Sequence, residues 1–339
     1  MAGAGASREL RELRGSDAGR YGGKSAALGE LLAAGIPVPG GFALAADAFE
    51  EHVGELALGG AAAGADADAD ADADARAKIR AAPIAAAIAD EIASRYAQLP
   101  GDQSPVAVRS SAIGEDSAQA TFAGQQDTRL WVRGADAVRD AVRECWASLY
   151  NDEAVAYRRH LGAQAQRPAM GVAVQLMVDA AIAGVMFTCN PVTGDPSMVA
   201  VNAGWGLGTA VVGGEITPDD QLLSKVTGEL VRETIGDKRI EYLPAADGHG
   251  TVSREVAPER RRARCLDGEA LRELVALARR VEAHFGNHQD VEWAIDRAGA
   301  LFVLQSRPVT GLPQRPAATP PASALSLVMS RFGAAGAPE

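Results

Sequence analysis

Three features of the sequence predict an α+β fold of two lobes. Amphipathic helical stretches and short apolar runs of strand length follow one another along the chain, and the strands concentrate in the second half. The length, 339 residues at about 150 per domain, leaves room for two units, each large enough to bury a core.

The elements follow in order. KSAALGELLAAG places Leu28, Leu31 and Leu32 at helical spacing and stops at Gly35, after which IPVPGG cannot continue a helix. Residues 61–75 (AAAGADADADADADA) alternate strictly and carry no apolar payload, so they are expected to be a solvated loop insertion. Residues 76–97 read as a helix with Ile84, Ile88, Ile92 and Tyr96 in register, which Pro83 starts or kinks. Val138, Val142, Cys145 and Leu149 mark a further helix, and Leu271, Leu274, Ala278, Val281 and Phe285 another. PVAVRSS, MGVAVQLMV, AGVMFT, SMVAVNAG, DVEWAID and ALFVLQSRP have strand length and are bounded by Gly, Pro or Asp. From Leu312, closely spaced prolines predict an extended tail, so the folded part should end near Thr310.

Composition excludes several classes. With 33 Lys plus Arg against 44 Asp plus Glu the chain carries −11, which offers no overall field for a nucleic acid. The three cysteines, Cys145, Cys189 and Cys265, lie far apart without a CxxC pair, which fits reduced thiols in a cytoplasm better than a disulfide framework or a zinc ribbon. The apolar runs are broken well before about 18 residues, and the first fifteen residues place charges where a signal peptide needs its apolar segment. A protein without a membrane span is expected, in the cytoplasm.

Four segments carry chemistry. AGRYGGKS offers Gly22, Gly23 and Lys24 at a helix start, an arrangement suited to phosphate, but Ala18 stands where a Walker A loop needs glycine, so ordinary helix entry fits equally well. In VAVRSSAIGEDSAQATFAGQQDT a strand delivers Arg109 into a loop of Ser110, Ser111, Gly114, Ser117, Thr121 and Gly124. Arg109 there either clamps an anion through bidentate bonds or pairs with Glu115 or Asp116. GWGLGTAVVGG fails the GxGxxG spacing because Val211 holds the third glycine position; Gly204, Gly206 and Gly208 imply a backbone bend that serves packing or a ligand. If DVEWAID and LFVLQSRP form a hairpin, Glu292 and Gln305 project from adjacent strands toward one face with Arg307 just beyond. Those are hard oxygen donors for Mg²⁺ beside a cation, or else a polar edge pair. His284 and His288 are four apart, but Gly286 and Asn287 break the helix between them and argue against a metal pair.

In this order, GGKSAALGELLAAGIPVPGGF, VAVRSSAIGEDSAQATFAGQQDT, AVRECWASLYNDEAVAYR, GVAVQLMV, AGVMFTCNPVTGD, NAGWGLGTAVVGGEITPD and DVEWAID…LFVLQSRPVTG resemble the nucleotide-binding domain shared by phosphoenolpyruvate synthase, pyruvate phosphate dikinase and rifampicin phosphotransferase, over residues 20 to 311. The resemblance implies an ATP-grasp fold with mixed or antiparallel sheets flanked by helices, whose two lobes, 1–169 and 170–311, close on Mg-ATP ahead of a tail at 312–339. It implies that Lys24 and Arg109 reach the phosphates, that the loop around Gly124 covers them, that Gln175 with the Met177–Val178 backbone holds adenine, that Glu292 and Gln305 bind magnesium, and that Arg307 stabilises the transferred group.

Two departures accompany it. Thr209 stands where the family commonly has glutamate, and the Ala-Asp tract is foreign to the pattern. Full-length members also carry a histidine in a TSH-like motif that accepts the phosphoryl group, and no histidine here has that setting. The implied activity is therefore that of a kinase or phosphotransferase with paired acceptors whose acceptor is a histidine on a partner polypeptide or a directly bound small molecule. The alternative is a noncatalytic nucleotide-binding module.

Overall fold

The computed structural model describes residues 5–56, 58, 69–113, 128–152, 154–156 and 169–312. Two antiparallel sheets organise them. The first runs β1 (Ser7–Glu9), β2 (Gly41–Leu44), β5 (Met170–Leu176), β3 (Val106–Ala112), β4 (Thr128–Val132). The second runs β13 (Leu301–Pro308), β12 (Gln289–Asp296), β6 (Ala180–Phe187), β7 (Met198–Trp205), β8 (Asp219–Ser224), β9 (Leu230–Thr234). A separate hairpin pairs β10 (Ile240–Pro244) with β11 (Thr251–Glu255). The central strand of the first sheet, β5, thus begins at the expected lobe boundary of 169/170 and belongs to the first sheet, so the chain passes between sheets only after Leu176.

Alternation along β3 and β5 sends Val106, Val108, Val172 and Val174 to one face, where they join a core with α3 (Ala46–Gly54), α4 (Ala69–Ala81), α5 (Ala86–Ala97) and α6 (Ala135–Ala147). The opposite face carries Ala107, Arg109 and Gln175. A second core joins Leu28 and Leu31 of α2 (Gly23–Ala33) to Met186, Val291, Trp293 and Val303 of the second sheet and to Leu274, Ala278 and Val281 of the helix Gly268–Phe285. α2 packs into that core and also against β3, so it touches both sheets. The helix Gly268–Phe285 starts where Asp267 accepts from the N–H groups of Glu269 and Ala270, and it ends at Gly286, φ 72°.

The Ala-Asp tract departs from its expectation. Residues 69–75 are helical, the first half of α4. Alanine is the best helix former, Asp70 and Asp72 complement the dipole of the first turn, and Asp74 pairs with Lys78 at 2.7 Å. Ala75 and Ile79 are fully buried, so the tract is not wholly a solvated loop; residues 61–68 lie outside the described residues. Pro83 separates α4 from α5 rather than kinking one helix.

Two buried polar groups had no signature in the sequence. Asp219 and Lys238 form an ion pair with neither side chain exposed, and Asp219 also accepts from Gly236 N at 3.0 Å and Cys265 N at 2.8 Å. His52 is buried against Trp146, ring centroids 5.1 Å apart, with Nε2 3.3 Å from Ile79 O. Among the described residues no helix is long and apolar enough to cross a membrane, and the three cysteines are buried and form no disulfide.

Candidate functional site

The site lies where the face of β3 that carries Arg109 meets the β12–β13 hairpin. Glu292 stands directly opposite Gln305 in the antiparallel register, as the sequence predicts. A register shift follows between Glu292 and Trp293, where Trp293 pairs with Val303 and leaves Leu304 as the extra residue. Arg109 reaches across from the first sheet: Nη2 donates to Glu292 Oε2 at 2.8 Å and to Gln305 Oε1 at 2.6 Å, and Nη1 donates to Leu304 O at 3.0 Å. Two hard oxygen donors therefore converge on one cationic nitrogen, and these partners of Arg109 lie on the second sheet. Glu115 and Asp116 lie outside the described residues, as do Gly114, Ser117, Thr121, Gly124 and residues 313–339 of the tail.

Lys24 sits in the first turn of α2 and donates to Ser110 O at 3.2 Å, which brings its ammonium to the strand that carries Arg109. Gly22 makes this approach possible. Its φ is +80°, and a Cβ there would lie 2.0 Å from Ser111 O. Ser111 Oγ in turn accepts from Ser25 N at 3.2 Å, satisfying one donor of the helix start.

Two pairs along the ladder from Glu292 and Gln305, Asp290 faces Arg307. Arg307 Nε and Nη2 lie 2.8 and 2.7 Å from Asp290 Oδ2. Burial raises the carboxyl pKa of Asp290 above its ordinary value, against the opposing pull of the Arg307 guanidinium. Sequence reasoning missed Asp290 as this partner, although its place two residues before Glu292 on one strand face was available.

Gln175 is 2% exposed and lies on the same face of the first sheet as Arg109; its Nε2 is 3.5 Å from Pro39 O. Met177 N already donates to Pro105 O at 2.9 Å, so a base at this turn would bond to other atoms of the Met177–Val178 segment. Val178 belongs to a small apolar cluster with Trp131, Ala180, Ala183, Leu207 and Ala294, bordered by partly exposed Met177, Tyr242, Phe302 and Leu304. Trp131 and Leu207 were not singled out from the sequence.

The glycine bend resolves as packing. Gly206, φ +69°, lies where a Cβ would meet Tyr242 O at 2.5 Å, and Leu207 N donates to the same carbonyl at 2.9 Å. Thr209 opens a single helical turn, Thr209–Val212. His284 and His288 do not converge: His284 lies 3.3 Å from Glu30 and His288 3.5 Å from Glu282. Among the described residues no group of three or more His, Cys, Asp and Glu is arranged to hold a metal, so Glu292 with the amide oxygen of Gln305 is a sparse donor set.

Comparison with known proteins supplies the family. The model of the pyruvate phosphate dikinase AMP/ATP-binding domain matches residues 18–324. A probable phosphoenolpyruvate synthase of Methanothermobacter thermautotrophicus is 39% identical over 316 residues, covering 89% of this chain and 46% of that protein. A rifampicin phosphotransferase of a Streptomyces species is 46% identical over 212 residues, 62% of this chain and 24% of that protein. The chain thus spans less than half the length of these relatives. Among solved structures, D-cycloserine synthetase DcsG is matched at 13% identity and TM-score 0.28, over 83% of this chain and 60% of that one. With its α+β architecture and the ordered motifs at Lys24, Arg109, Glu292 and Gln305, the chain belongs to the pyruvate phosphate dikinase AMP/ATP-binding domain family.

Proposed function

We propose that this domain binds Mg-ATP between its two sheets, in the manner of an ATP-grasp enzyme, and passes a phosphoryl or pyrophosphoryl group to a histidine on a partner polypeptide. The carrying observation is the convergence of Glu292 Oε2, Gln305 Oε1 and Leu304 O on the Arg109 guanidinium. An unlike charge already occupies the point between the two oxygen donors at hydrogen-bond distance, so the donor set fits a cation, and magnesium favours a carboxylate plus neutral oxygens with water and phosphate completing its shell. Glu292 and Gln305 would hold the metal, which when bound would supply neutralisation of developing charge.

The residues of this chain then have separate tasks. Lys24, with the N–H groups at the start of α2, holds phosphate oxygens. Arg109, which Glu292 and Gln305 hold in place at this site, would offer its fork to the phosphates. Arg307 neutralises charge on the transferred group, and Asp290 orients it. Gln175 and the Met177–Val178 segment take the adenine, beside the apolar cluster that already includes Val178. Catalysis is positioning and charge neutralisation, with no covalent intermediate on this chain. Supporting an acceptor elsewhere, His52 is buried against Trp146, and His284 and His288 pair with Glu30 and Glu282. Three reduced, buried cysteines support a cytoplasmic setting.

Calorimetric titration with ATP, with and without magnesium, tests this reading. Magnesium-dependent binding that Glu292→Ala loses is the expected result. No binding by the folded chain would leave a noncatalytic or partner-completed module.

A further inference from the structure

A cavity at the β1 edge of the first sheet has charged and apolar lining that the nucleotide reading does not use. Antiparallel pairing sets Glu9 of β1 against Phe42 of β2, so both side chains leave the face of the sheet that α5 covers. On α5, Glu91 and Arg95 stand one turn apart and both reach β1. Glu91 accepts from Ser7 N at 2.8 Å, and Arg95 Nε donates to Ser7 Oγ at 3.0 Å. Where α5 ends, the packing between its last turn, the last turn of α2 and the start of β2 leaves a cavity of about 440 Å³. Leu32, Val38, Phe42, Leu99 and Leu176 give it apolar walls. Its charged lining residues, Glu9, Arg11 and Arg95, form one cluster.

That cluster is incompletely paired. Arg11 Nε lies 2.6 Å from Glu9 Oε2, whereas Glu9 Oε1 and Arg95 Nη1 are 3.8 Å apart, beyond hydrogen-bond distance. Among the described residues Glu9 Oε1 accepts no hydrogen bond, and the two terminal nitrogens of Arg95 donate none. An unfilled carboxylate oxygen and an unfilled guanidinium fork therefore stand side by side at an apolar hollow.

We infer that this cavity binds an apolar α-amino acid, with its carboxylate on Arg95, its ammonium on Glu9 and its side chain against Leu32, Phe42 and Leu99. The charges select the class. A simple carboxylic acid would set its carboxylate beside Glu9, and a simple amine would set its ammonium beside two guanidiniums, whereas a zwitterion meets each group with the opposite sign. The walls select the side chain, because a hydrocarbon body placed there leaves water without burying a polar group. The volume falls within the range of about 300–1,000 Å³ usual for small-molecule sites, which share this build of apolar walls with a few polar groups. None of Lys24, Arg109, Glu292 and Gln305 lines the cavity, so the inference does not rest on the nucleotide reading.

The test uses three ligands with one ring and different charges: L-phenylalanine, phenylpropionate, which lacks the ammonium, and phenethylamine, which lacks the carboxylate. Titrated calorimetrically into the full chain, L-phenylalanine should bind at least about tenfold more tightly than either analogue. Glu9→Gln should remove the preference over phenylpropionate and Arg95→Gln the preference over phenethylamine, each with about tenfold loss of L-phenylalanine affinity. Should Arg95→Gln fail to fold, Glu9→Gln decides, since it keeps the shape of the side chain and removes only its charge. Equal affinity for L-phenylalanine and either analogue, no binding of L-phenylalanine up to its solubility, or an L-phenylalanine affinity that Glu9→Gln leaves unchanged overturns the site. Each of those results leaves the magnesium and ATP titration to be judged separately.

Discussion

Arg109 and Glu292, 183 residues apart in sequence, form a 2.8 Å ion pair that ties the first sheet to the second. The Arg109 side chain is 13% exposed and that of Glu292 24%, so the pair is shielded from solvent and is not an ordinary surface bridge. The same guanidinium also holds Gln305 and Leu304. Any cation that takes the two oxygen donors must displace it.

That competition is measurable without nucleotide. In Arg109→Ala, Glu292 loses its partner, and stability should fall by about 1–3 kcal/mol. Magnesium alone should then raise the melting temperature of Arg109→Ala more than that of the wild type, because it no longer competes with a guanidinium. Equal shifts in the two proteins, read by thermal denaturation across a magnesium series, would remove Glu292 and Gln305 from the metal site.

Arg307 has a second role that its substitution will expose. Arg307→Ala should abolish transfer while ATP binding survives, since its charge acts on the developing transition state. It also strips the partner from buried Asp290, a cost of about 1–3 kcal/mol that the double variant Arg307→Ala/Asp290→Asn should largely recover. Loss of ATP binding in proportion to loss of transfer would contradict the assigned role.

Asp290 and His52 should tilt stability in opposite directions with pH. Burial raises the Asp290 pKa, so the native state keeps its proton where the unfolded chain has released it, and stability falls as pH rises from the ordinary carboxylate value to the raised one. Asp290→Asn should flatten that slope. Burial lowers the His52 pKa, so the unfolded state binds the extra proton, and the stability present above the ordinary histidine value near 6.5 is lost as pH falls below it. His52→Gln should flatten the loss below about pH 6.5, as read by urea denaturation at each pH.

The Asp219–Lys238 pair predicts a large effect far from the chemistry. Lys238→Met leaves a fully buried carboxylate with only the Gly236 and Cys265 amides, and should cost about 3–5 kcal/mol in chemical denaturation. A smaller loss would mean that water reaches Asp219.

Much of the polar site was legible because it depends on local rules. Antiparallel pairing of two adjacent strands sets Glu292 against Gln305, and the apolar run VAVRSSA puts Arg109 on a strand. What escaped depends on contacts between distant segments. Gly22 reads as a glycine turn, but its reason is the approach of Ser111 from another strand. Trp131 occupies a backbone conformation that its own side chain disfavours, so propensity points away from it. The edge strand β9, LVRET, and the hairpin strand β11, TVSRE, are largely exposed and carry no clear apolar alternation, and neither was anticipated. The Ala-Asp tract misled because low complexity masks the helix propensity of alanine.

The extra residue at Leu304 puts the two ends of β13 half a period out of step. Toward its start, Val303 looks inward with Trp293 and serves the core; past the offset, Gln305 and Arg307 look outward with Glu292 and Asp290. One strand thereby carries two phases of alternation, with the change of phase falling at the residue whose carbonyl Arg109 grips. Removing Leu304 would make Val303 and Gln305 neighbours, so plain alternation would keep Val303 inward and Gln305 outward, and the strand would lose the carbonyl that Arg109 holds. Core and reacting edge are thus joined at one point in the chain, by a residue that neither phase of the strand requires and whose main chain serves the site instead.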